Sequence, residues 1–182
     1  MNLKELIRTR RTVHQFKAEP LPWSDIEEAL ELSLWAPNHR LTYPWKFIKV
    51  SDEQRAQMVD LAISLKVSKD PNCSEIKKQA LRTRLMAPAY WISLGINRSS
   101  DPHIFEEDQA TMSCSVQIAS LSLWEKGIGS KWSTGGFSMH DKTYEILKVS
   151  KESHYLMGVL FIGKVDVMPP TPNRPELSQF LS

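Results

Sequence analysis

The chain has 182 residues, of which 41% are hydrophobic, so it is long enough to bury a core and too short to favour two independent domains. We therefore expect a single domain over residues 1–182. Its 23 Lys and Arg residues nearly balance 21 Asp and Glu residues, and the net charge of +2 gives no electrostatic reason to expect nucleic acid as a partner. Cys73 and Cys114 lack CxxC spacing and suggest neither a disulfide framework nor a metal site, so we expect the protein in a reducing cytoplasm.

The amino-terminal part of the chain contains two predicted helices. Apolar residues at helical spacing predict a helix over residues 2–9 that ends near the basic pair Arg10 and Arg11, because carbonyl groups at a helix end favour cations. A second helical pattern begins around Ser24, which is predicted to cap it, and Pro37 marks its end.

The middle of the chain alternates predicted strands and helices. Strands are expected over residues 46–50 and 90–96, and helices from residue 51, over residues 74–86 and over residues 105–126. The last helix carries small side chains that allow a close approach, which suits either a core helix or a subunit interface. These small residues are Ala110, Ser113, Cys114, Ser115, Ala119 and Ser120.

The carboxy-terminal part is predicted to contain a strand over residues 130–134, a helix over residues 138–149 and an apolar strand over residues 156–165. Prolines after residue 168 predict an extended tail. Helices and strands mixed without strict βαβ alternation favour an α+β fold. No apolar run approaches the roughly 20 residues needed to span a bilayer, so no membrane partner is expected.

Several common catalytic patterns are missing from the sequence. There is no GxSxG nucleophile elbow, and the five histidines show no HExxH or similar ligand spacing. The stretch Gly158–Lys164 matches most of a phosphate-loop pattern, but its intervening residues are apolar and strand-forming. These absences argue against a hydrolase and against a metalloenzyme, and we assign no catalytic side chain and no metal ligand.

The most informative pattern lies at the end of the first helix. Arg10 and Arg11 are followed by the hydroxyl group of Thr12, and paired guanidinium groups suit a phosphate monoester because charge-assisted hydrogen bonds to a dianion are short and strong. Taken alone, such a pair is more often a solvated helix end. Further along, the loop over residues 36–47 begins with Ala-Pro-Asn-His and continues to Pro-Trp-Lys-Phe.

Together these two segments closely resemble the opening of the FMN-dependent nitroreductase family. Members of that family begin with a helix ending in Arg-Arg-Ser/Thr and continue to Ala-Pro-(polar)-Pro-Trp. The resemblance implies that Arg10, Arg11 and Thr12 bind the phosphate and ribityl chain of FMN. It also implies that Trp35 and His39 approach the flavin from the partner subunit.

Two later segments extend the resemblance. Residues 131–136 resemble the family's glycine-containing segment beside the isoalloxazine ring, which places Trp132, Ser133 and Thr134 near the cofactor, with backbone amides facing the reactive edge of the ring. An ordinary strand-to-turn junction is the alternative. Arg174 lies in an Asn-Arg-Pro element like one that follows the last strand in the family, where it would add charge at the phosphate; an exposed tail arginine without a partner is the alternative.

The chain also departs from the family pattern. Leu41 and Tyr43 stand where many relatives carry Asn and Gln just before Pro-Trp, which removes polar groups from the loop. The chain is short for the family and resembles its small bacterial subgroup of NAD(P)H nitroreductases. Trp35, Tyr43 or Trp132 could line the face on which an acceptor stacks, a hypothesis that rests on their aromatic character and loop position.

The resemblance implies a three-layer sandwich in which a central, mostly antiparallel sheet is flanked by helices, and an intertwined homodimer with FMN at its interface. The implied activity passes a hydride from NADH or NADPH through the flavin to a nitroaromatic, quinone or similar acceptor by a ping-pong mechanism. No dinucleotide fingerprint selects between the two nicotinamides. A non-catalytic flavin carrier or sensor is the alternative function.

Overall fold

The computed structural model describes residues 2–181, which form an α+β fold as predicted. Its α-helices are α1 (Leu3–Thr9), α2 (Trp23–Ser33), α3 (Asp52–Lys69), α4 (Glu75–Met86), α5 (Pro102–Glu125) and α6 (Asp141–Leu147). Its strands are β1 (Phe16–Lys17), β2 (Trp45–Lys49), β3 (Tyr90–Asn97), β4 (Ile128–Ser133) and β5 (His154–Val165). Short 3-10 turns occupy His39–Leu41, Gly136–Met139 and Leu177–Gln179.

The sheet is organised around β5, which pairs with β1, β3 and β4, while β2 pairs with β3. Every one of these strand pairs is antiparallel. An isolated parallel bridge joins Thr12 to Ser130 of β4, and it brings the segment after α1 against the sheet. The predicted central antiparallel sheet is therefore confirmed.

Side chains of the two longest strands alternate between the two faces of the sheet. Trp91 and Phe161 belong to one hydrophobic cluster with residues of α3 and α6, whereas Ile92 and Leu160 belong to a second cluster with residues of α2 and α5. Burial of apolar side chains on both faces explains why β3 and β5 have almost continuous apolar sequences. The flanking helices complete the predicted three-layer arrangement.

The helix termini differ in detail from the sequence-based predictions. The prediction that Ser24 caps α2 is wrong, because the helix begins at Trp23 behind Pro22, with no side-chain cap. Helix α5 begins at Pro102, three residues earlier than predicted, because the Asp101 side chain accepts hydrogen bonds from the first backbone amides. The two-residue strand β1 was not predicted, since so short a segment shows no periodicity.

The small residues of α5 serve the core on one face of the helix. Ser115, Ala119 and Ser120 are buried, and the Ser115 hydroxyl accepts a hydrogen bond from the Trp45 indole at 2.6 Å. Ala110 and Cys114 are exposed on the same helix. The prediction that the small residues of α5 pack in the core is therefore confirmed for Ser115, Ala119 and Ser120. The face of α5 that carries Ala110 and Cys114 remains exposed.

The tail after β5 is extended, as its prolines predict, until the short 3-10 turn near residue 177. Residues 170–181 are exposed. Across residues 2–181, no helix is both long enough and apolar enough to cross a bilayer.

Gly158 is required by the close approach of β5 to the end of β4. Its φ is +117°, and a Cβ added there would lie 2.4 Å from the Ser133 carbonyl oxygen. The register between β3 and β5 shifts opposite this point, between Leu94 and Gly95. The glycine therefore allows the bulge and sets the position of the Ser133 backbone.

Replacing Gly158 with Ala should destabilise the protein by about 2 kcal/mol or more, because the side chain meets both a positive φ and a backbone carbonyl. The expected fall in Tm is at least about 4 °C, measured by thermal unfolding followed by circular dichroism. Gly136→Ala is the matched control, since a Cβ at Gly136 meets no atom within 4 Å. Equal melting temperatures for the two variants would contradict this account of the bulge.

Candidate functional site

A basic cleft of about 500 Å³ lies where α1 ends and the tail passes over it. The chain leaves the helix at Arg10, whose amide still donates to the Leu6 carbonyl but whose backbone is extended. We call this site the arginine cleft. It is lined by Ile7, Arg8, Arg10, Arg11, Gln117, Thr171, Pro172 and Arg174.

Arg11 ties the tail to the end of α1. Its guanidinium group donates hydrogen bonds to the carbonyl oxygens of Arg8 at 2.7 Å and Arg10 at 2.9 Å. It also donates to the Thr171 hydroxyl at 2.7 Å. The first two contacts satisfy carbonyl groups at a helix terminus, and the third brings the tail, and with it Arg174, to the cleft.

Arg10, like Arg11, is partly buried in the cleft. Its burial, together with the positive charges of Arg11 and Arg174, lowers the pKa of Arg10 from its ordinary value. Within residues 2–181, none of these three arginines forms a salt bridge with a carboxylate. A cluster of guanidinium groups without a counter-charge suits a doubly charged phosphate, so the residues present fit the phosphate end of FMN.

A second cavity, of about 270 Å³, lies beyond Thr12 at the end of β4, and we call it the inner cavity. The Val13 amide donates to the Ser130 carbonyl at 3.0 Å, which holds the extended segment beside the strand. Val13 is fully buried, whereas Thr12 and His14 on either side of it are exposed. His14 and Ser133 line the cavity together with Lys131 and Gly135.

The three predicted residues at the end of β4 have different surroundings. Trp132 is half-buried against the core, and its indole donates to the Met157 carbonyl at 2.8 Å. Ser133 is half-buried, and its carbonyl oxygen accepts a hydrogen bond from the Ser138 hydroxyl at 3.2 Å. Thr134 is exposed. Of the three, Ser133 alone lines the inner cavity.

The loop between α2 and β2 has an unusual backbone. Arg40, Leu41 and Tyr43 have φ values of 60°, 51° and 47°, a left-handed conformation that is unfavourable for residues other than glycine. Apart from Lys148, no other non-glycine residue within 2–181 has positive φ. Backbone strain of this kind costs free energy and persists where surrounding contacts enforce it, commonly at functional sites.

Polar contacts hold the strained loop against α5. The Asn38 side chain accepts from the Tyr43 amide at 2.9 Å and donates to the Thr42 hydroxyl at 2.8 Å. Thr42 in turn donates to the carboxylate of Asp108 at 2.5 Å, and Asp108 is only 4% exposed. The loop is therefore anchored through a buried acidic side chain on the long helix.

His39 lies on the outer side of this loop. Its Nδ1 atom is 2.7 Å from Glu107 of α5, and His103 lies 3.3 Å from the same carboxylate oxygen. The hydrogen bond with His39 lowers the pKa of Glu107, and the charges of His39, His103 and Arg40 act in the same direction against the effect of burial. Trp35, on the same connection, is 85% exposed.

Within one chain the predicted site residues fall into separate groups. Arg10, Arg11 and Arg174 line the arginine cleft, and Ser133 lines the inner cavity. Trp35 and His39 line neither, and they lie on the exposed loop connection. Thr12, Trp132 and Thr134 also line neither cavity, although Thr12 is bridged to β4.

Sequence reasoning missed several residues of these sites. Gln117 and Thr171 of the arginine cleft come from distant parts of the chain, so no local pattern marks them. His14 could have been predicted from the sequence, because residues two apart in an extended segment share a face, and His14 follows Thr12 at that spacing.

No group of three or more metal-ligating side chains within 2–181 is arranged to hold a metal ion.

A family model and a curated relative both connect this chain to the nitroreductases. The model of the nitroreductase family matches residues 7–164. A Bacillus subtilis (strain 168) protein, named "Putative NAD(P)H nitroreductase YfhC", is 30% identical over 94% of this chain and 89% of its own length.

Solved structures show the same fold. A nitroreductase-like family protein from Bacillus cereus covers 100% of this chain and 95% of its own, with a TM-score of 0.86 and 23% identity. A mutant of the FMN and NADPH-dependent nitroreductase NfnB from sphigopyxis sp. strain HMH has a TM-score of 0.82 and 18% identity, over 100% of this chain and 98% of its own.

Replacing Thr42 with Val should destabilise the protein by about 1–3 kcal/mol, because the buried Asp108 carboxylate loses its hydrogen-bond donor without a change in side-chain volume. The measurement is urea denaturation at neutral pH. Thr42→Ser, which keeps the hydroxyl group, is the matched control and should lose clearly less. A Val variant as stable as the Ser variant would show that the contact does not anchor the loop.

Proposed function

Because the chain belongs to the nitroreductase family of oxidoreductases, we propose that it is a homodimeric FMN enzyme that transfers reducing equivalents from NAD(P)H to an electrophilic small molecule. The observation that carries this proposal is the arginine cleft, which Arg10, Arg11 and Arg174 line without forming a salt bridge to any carboxylate within residues 2–181. FMN, when bound, supplies the redox chemistry by accepting a hydride and delivering it to the acceptor.

The residues of this chain bind FMN and orient it. Arg10 and Arg174 bind the phosphate group of FMN, while Arg11 holds the tail in place through Thr171. The Ser133 backbone, whose position is set by the bulge at Gly158, would lie beside the flavin ring. No side chain is assigned a proton-transfer role.

Positive charge near the ring would favour electron transfer. His14 and Lys131 line the inner cavity beside Ser133, and cationic or donor groups there stabilise negative charge that develops on a bound ring.

With a nitroaromatic acceptor, NAD(P)H and one proton convert the nitro compound to a nitroso compound and water, leaving NAD(P)⁺. Both substrates use the same site in turn, which gives a ping-pong mechanism.

The homodimer is supported by the separation of the predicted residues. Trp35 is almost fully exposed, and His39 lies apart from both cavities of its own chain, so each would reach a cofactor only in a second subunit. Exposed leucines on α1 and in the tail, together with the outward face of α5, offer further apolar surface for an isologous contact.

Changing Arg10 to Ala should weaken FMN binding roughly ten-fold or more, through loss of a charge-assisted bond of about 1.5–3 kcal/mol. Affinity is measured by quenching of flavin fluorescence. Riboflavin, which lacks the phosphate, should bind wild-type and variant equally well. Lys4→Ala, on α1 outside the cleft, is the control for a general loss of positive charge. Equal weakening of both flavins would place the phosphate elsewhere.

The oxidoreductase activity is tested by anaerobic stopped-flow mixing of the FMN-loaded protein with NADH and with NADPH. We expect the yellow absorbance of the oxidised flavin to disappear on the order of seconds or faster, typical of enzymatic turnover. Addition of a nitroaromatic or quinone should restore the colour. Flavin that stays yellow after mixing would instead favour a carrier or sensor.

Subunit complementation tests the shared site. Arg10→Ala and His39→Ala protomers are co-expressed, and mixed dimers should contain one intact and one doubly altered site, so that about a quarter of all sites bind FMN normally. The measurement is the stoichiometry of tight flavin binding. A mixture that behaves as the average of the two separate variants would contradict a site made by two subunits.

A further inference from the structure

A third space lies next to the inner cavity on the side of α3, and we call it the lysine pocket. It has a volume of about 510 Å³ and is bounded by the carboxy-terminal half of α3 and the turn that follows β4. Ala62 and Phe137 line both the lysine pocket and the inner cavity, so the two spaces adjoin. The lining residues of the lysine pocket are Ala62, Leu65, Lys66, Lys69, Asp70, Gly136, Phe137 and His140.

The inner cavity also adjoins a groove along α4. The groove has a volume of about 800 Å³, and Phe16 and Arg84 line both spaces. Its other ionisable lining residues are Glu75 and Asp166, and Glu75 is paired with Lys78 at 2.6 Å. The groove therefore contains two carboxylates and one guanidinium group in an otherwise uncharged wall, and it offers no excess of positive charge.

The lysine pocket has the opposite balance of charge. Lys66 and Lys69 lie in the last turn of α3, and neither forms a salt bridge within residues 2–181. The one carboxylate in its lining belongs to Asp70. The Nδ1 atom of His140 accepts a hydrogen bond from the Lys142 amide at 3.2 Å, which leaves Nε2–H as the donor of the ring. Two ammonium groups against one carboxylate leave the pocket positive.

The electron donors determine what the space next to the flavin must accept. Hydride transfer requires the dihydronicotinamide ring in contact with the flavin ring, which the proposed function places in the inner cavity. The remainder of NADH carries a diphosphate, and NADPH carries one phosphate more, so this remainder must extend into an adjoining space. Phosphate groups bind ammonium groups and are repelled by carboxylates, which favours the lysine pocket over the groove.

We propose that Lys66 and Lys69 bind the phosphate groups of NADH or NADPH, with the nicotinamide reaching the flavin beside Phe137. This inference rests on the proposed function and assigns the dinucleotide site that the function leaves open. His14 and Lys131 of the inner cavity remain with the flavin ring. The acceptor replaces only the nicotinamide ring, so the two substrates still use the same site in turn.

The test compares both dinucleotides with 1-benzyl-1,4-dihydronicotinamide, which has the same reacting ring but no phosphate. Each reductant is mixed anaerobically with FMN-loaded protein, and the concentration dependence of bleaching gives its Kd and the limiting rate of reduction. Lys66→Gln and Lys69→Gln should each raise the Kd of the dinucleotide roughly ten-fold, through loss of a charge-assisted contact. The limiting rate and the Kd of the benzyl compound should stay unchanged.

Equilibrium binding provides a second readout that does not depend on turnover. The 1,4,5,6-tetrahydro derivative of NADPH, which cannot donate a hydride, is titrated into oxidised, FMN-loaded protein by isothermal titration calorimetry. Its Kd should rise in the two lysine variants by the same factor as in the kinetic measurement. Added salt should weaken binding more in wild-type protein than in the double variant, because salt screens the charges that the variant lacks.

Lys77→Gln is the matched control for loss of one positive charge. Lys77 is exposed on α4, forms no salt bridge among residues 2–181 and lines none of the three adjoining spaces. Every Kd should stay at its wild-type value in this variant. FMN affinity should also be unchanged in Lys66→Gln and Lys69→Gln, since the lysine pocket and the arginine cleft share no lining residue.

Three outcomes overturn the inference. The lysine variants could bind the dinucleotides as tightly as wild-type protein, with a lower Tm alone, which would assign both lysines to the negative end of the α3 dipole. They could weaken the benzyl compound as much as the dinucleotides, or they could weaken FMN, and either result would place the lysines at the flavin.

Failure of the proposed function gives a different result. Protein that binds no FMN, or whose flavin is bleached by neither NADH nor NADPH, overturns the function and this inference together. Protein whose flavin is bleached by a dinucleotide with the same Kd in wild-type and lysine variants overturns the inference alone.

Discussion

Mutual repulsion among Arg10, Arg11 and Arg174 is the constraint around which this site is built. Folding brings the three cations together without a carboxylate from residues 2–181, so burial of Arg10 is unfavourable until an anion arrives. Two features offset this cost: Arg11 binds carbonyl oxygens at the end of α1, and Leu6 of the same helix is buried in the core. An anion that binds the folded state should accordingly stabilise it.

The sequence predicted what local chemistry determines. The basic pair after α1, the strands β3 and β5 and the extended tail follow from periodicity, composition and proline content, and all lie where expected. The prediction that Ser24 caps α2 is wrong because the helix begins at Trp23, directly after Pro22, whose backbone φ is fixed by its ring. The contacts that complete the site join distant residues, such as Thr42 with Asp108, and no pattern in one sequence encodes such a pairing.

The strained loop and the bulge at Gly158 are stabilised in the same way. In each, an unfavourable backbone conformation is enforced by contacts from another element: Asp108 of α5 holds the loop through Thr42, and the end of β4 presses against Gly158 of β5. Rigid backbone at a binding site lowers the entropy lost when a ligand binds. The structure thus adds to the family resemblance an account of what keeps the recognition elements in place.

The bond between Arg11 and Thr171 joins residues 160 positions apart. During translation, α1 emerges from the ribosome long before the tail, and all five strands must be synthesised before the third cation can join the first two. A ligand that needs both Arg10 and Arg174 therefore cannot be captured by the nascent chain at an early stage. Under the proposed function, cofactor loading is a late event in biogenesis, and a chain truncated before Arg174 would lack part of the proposed phosphate site.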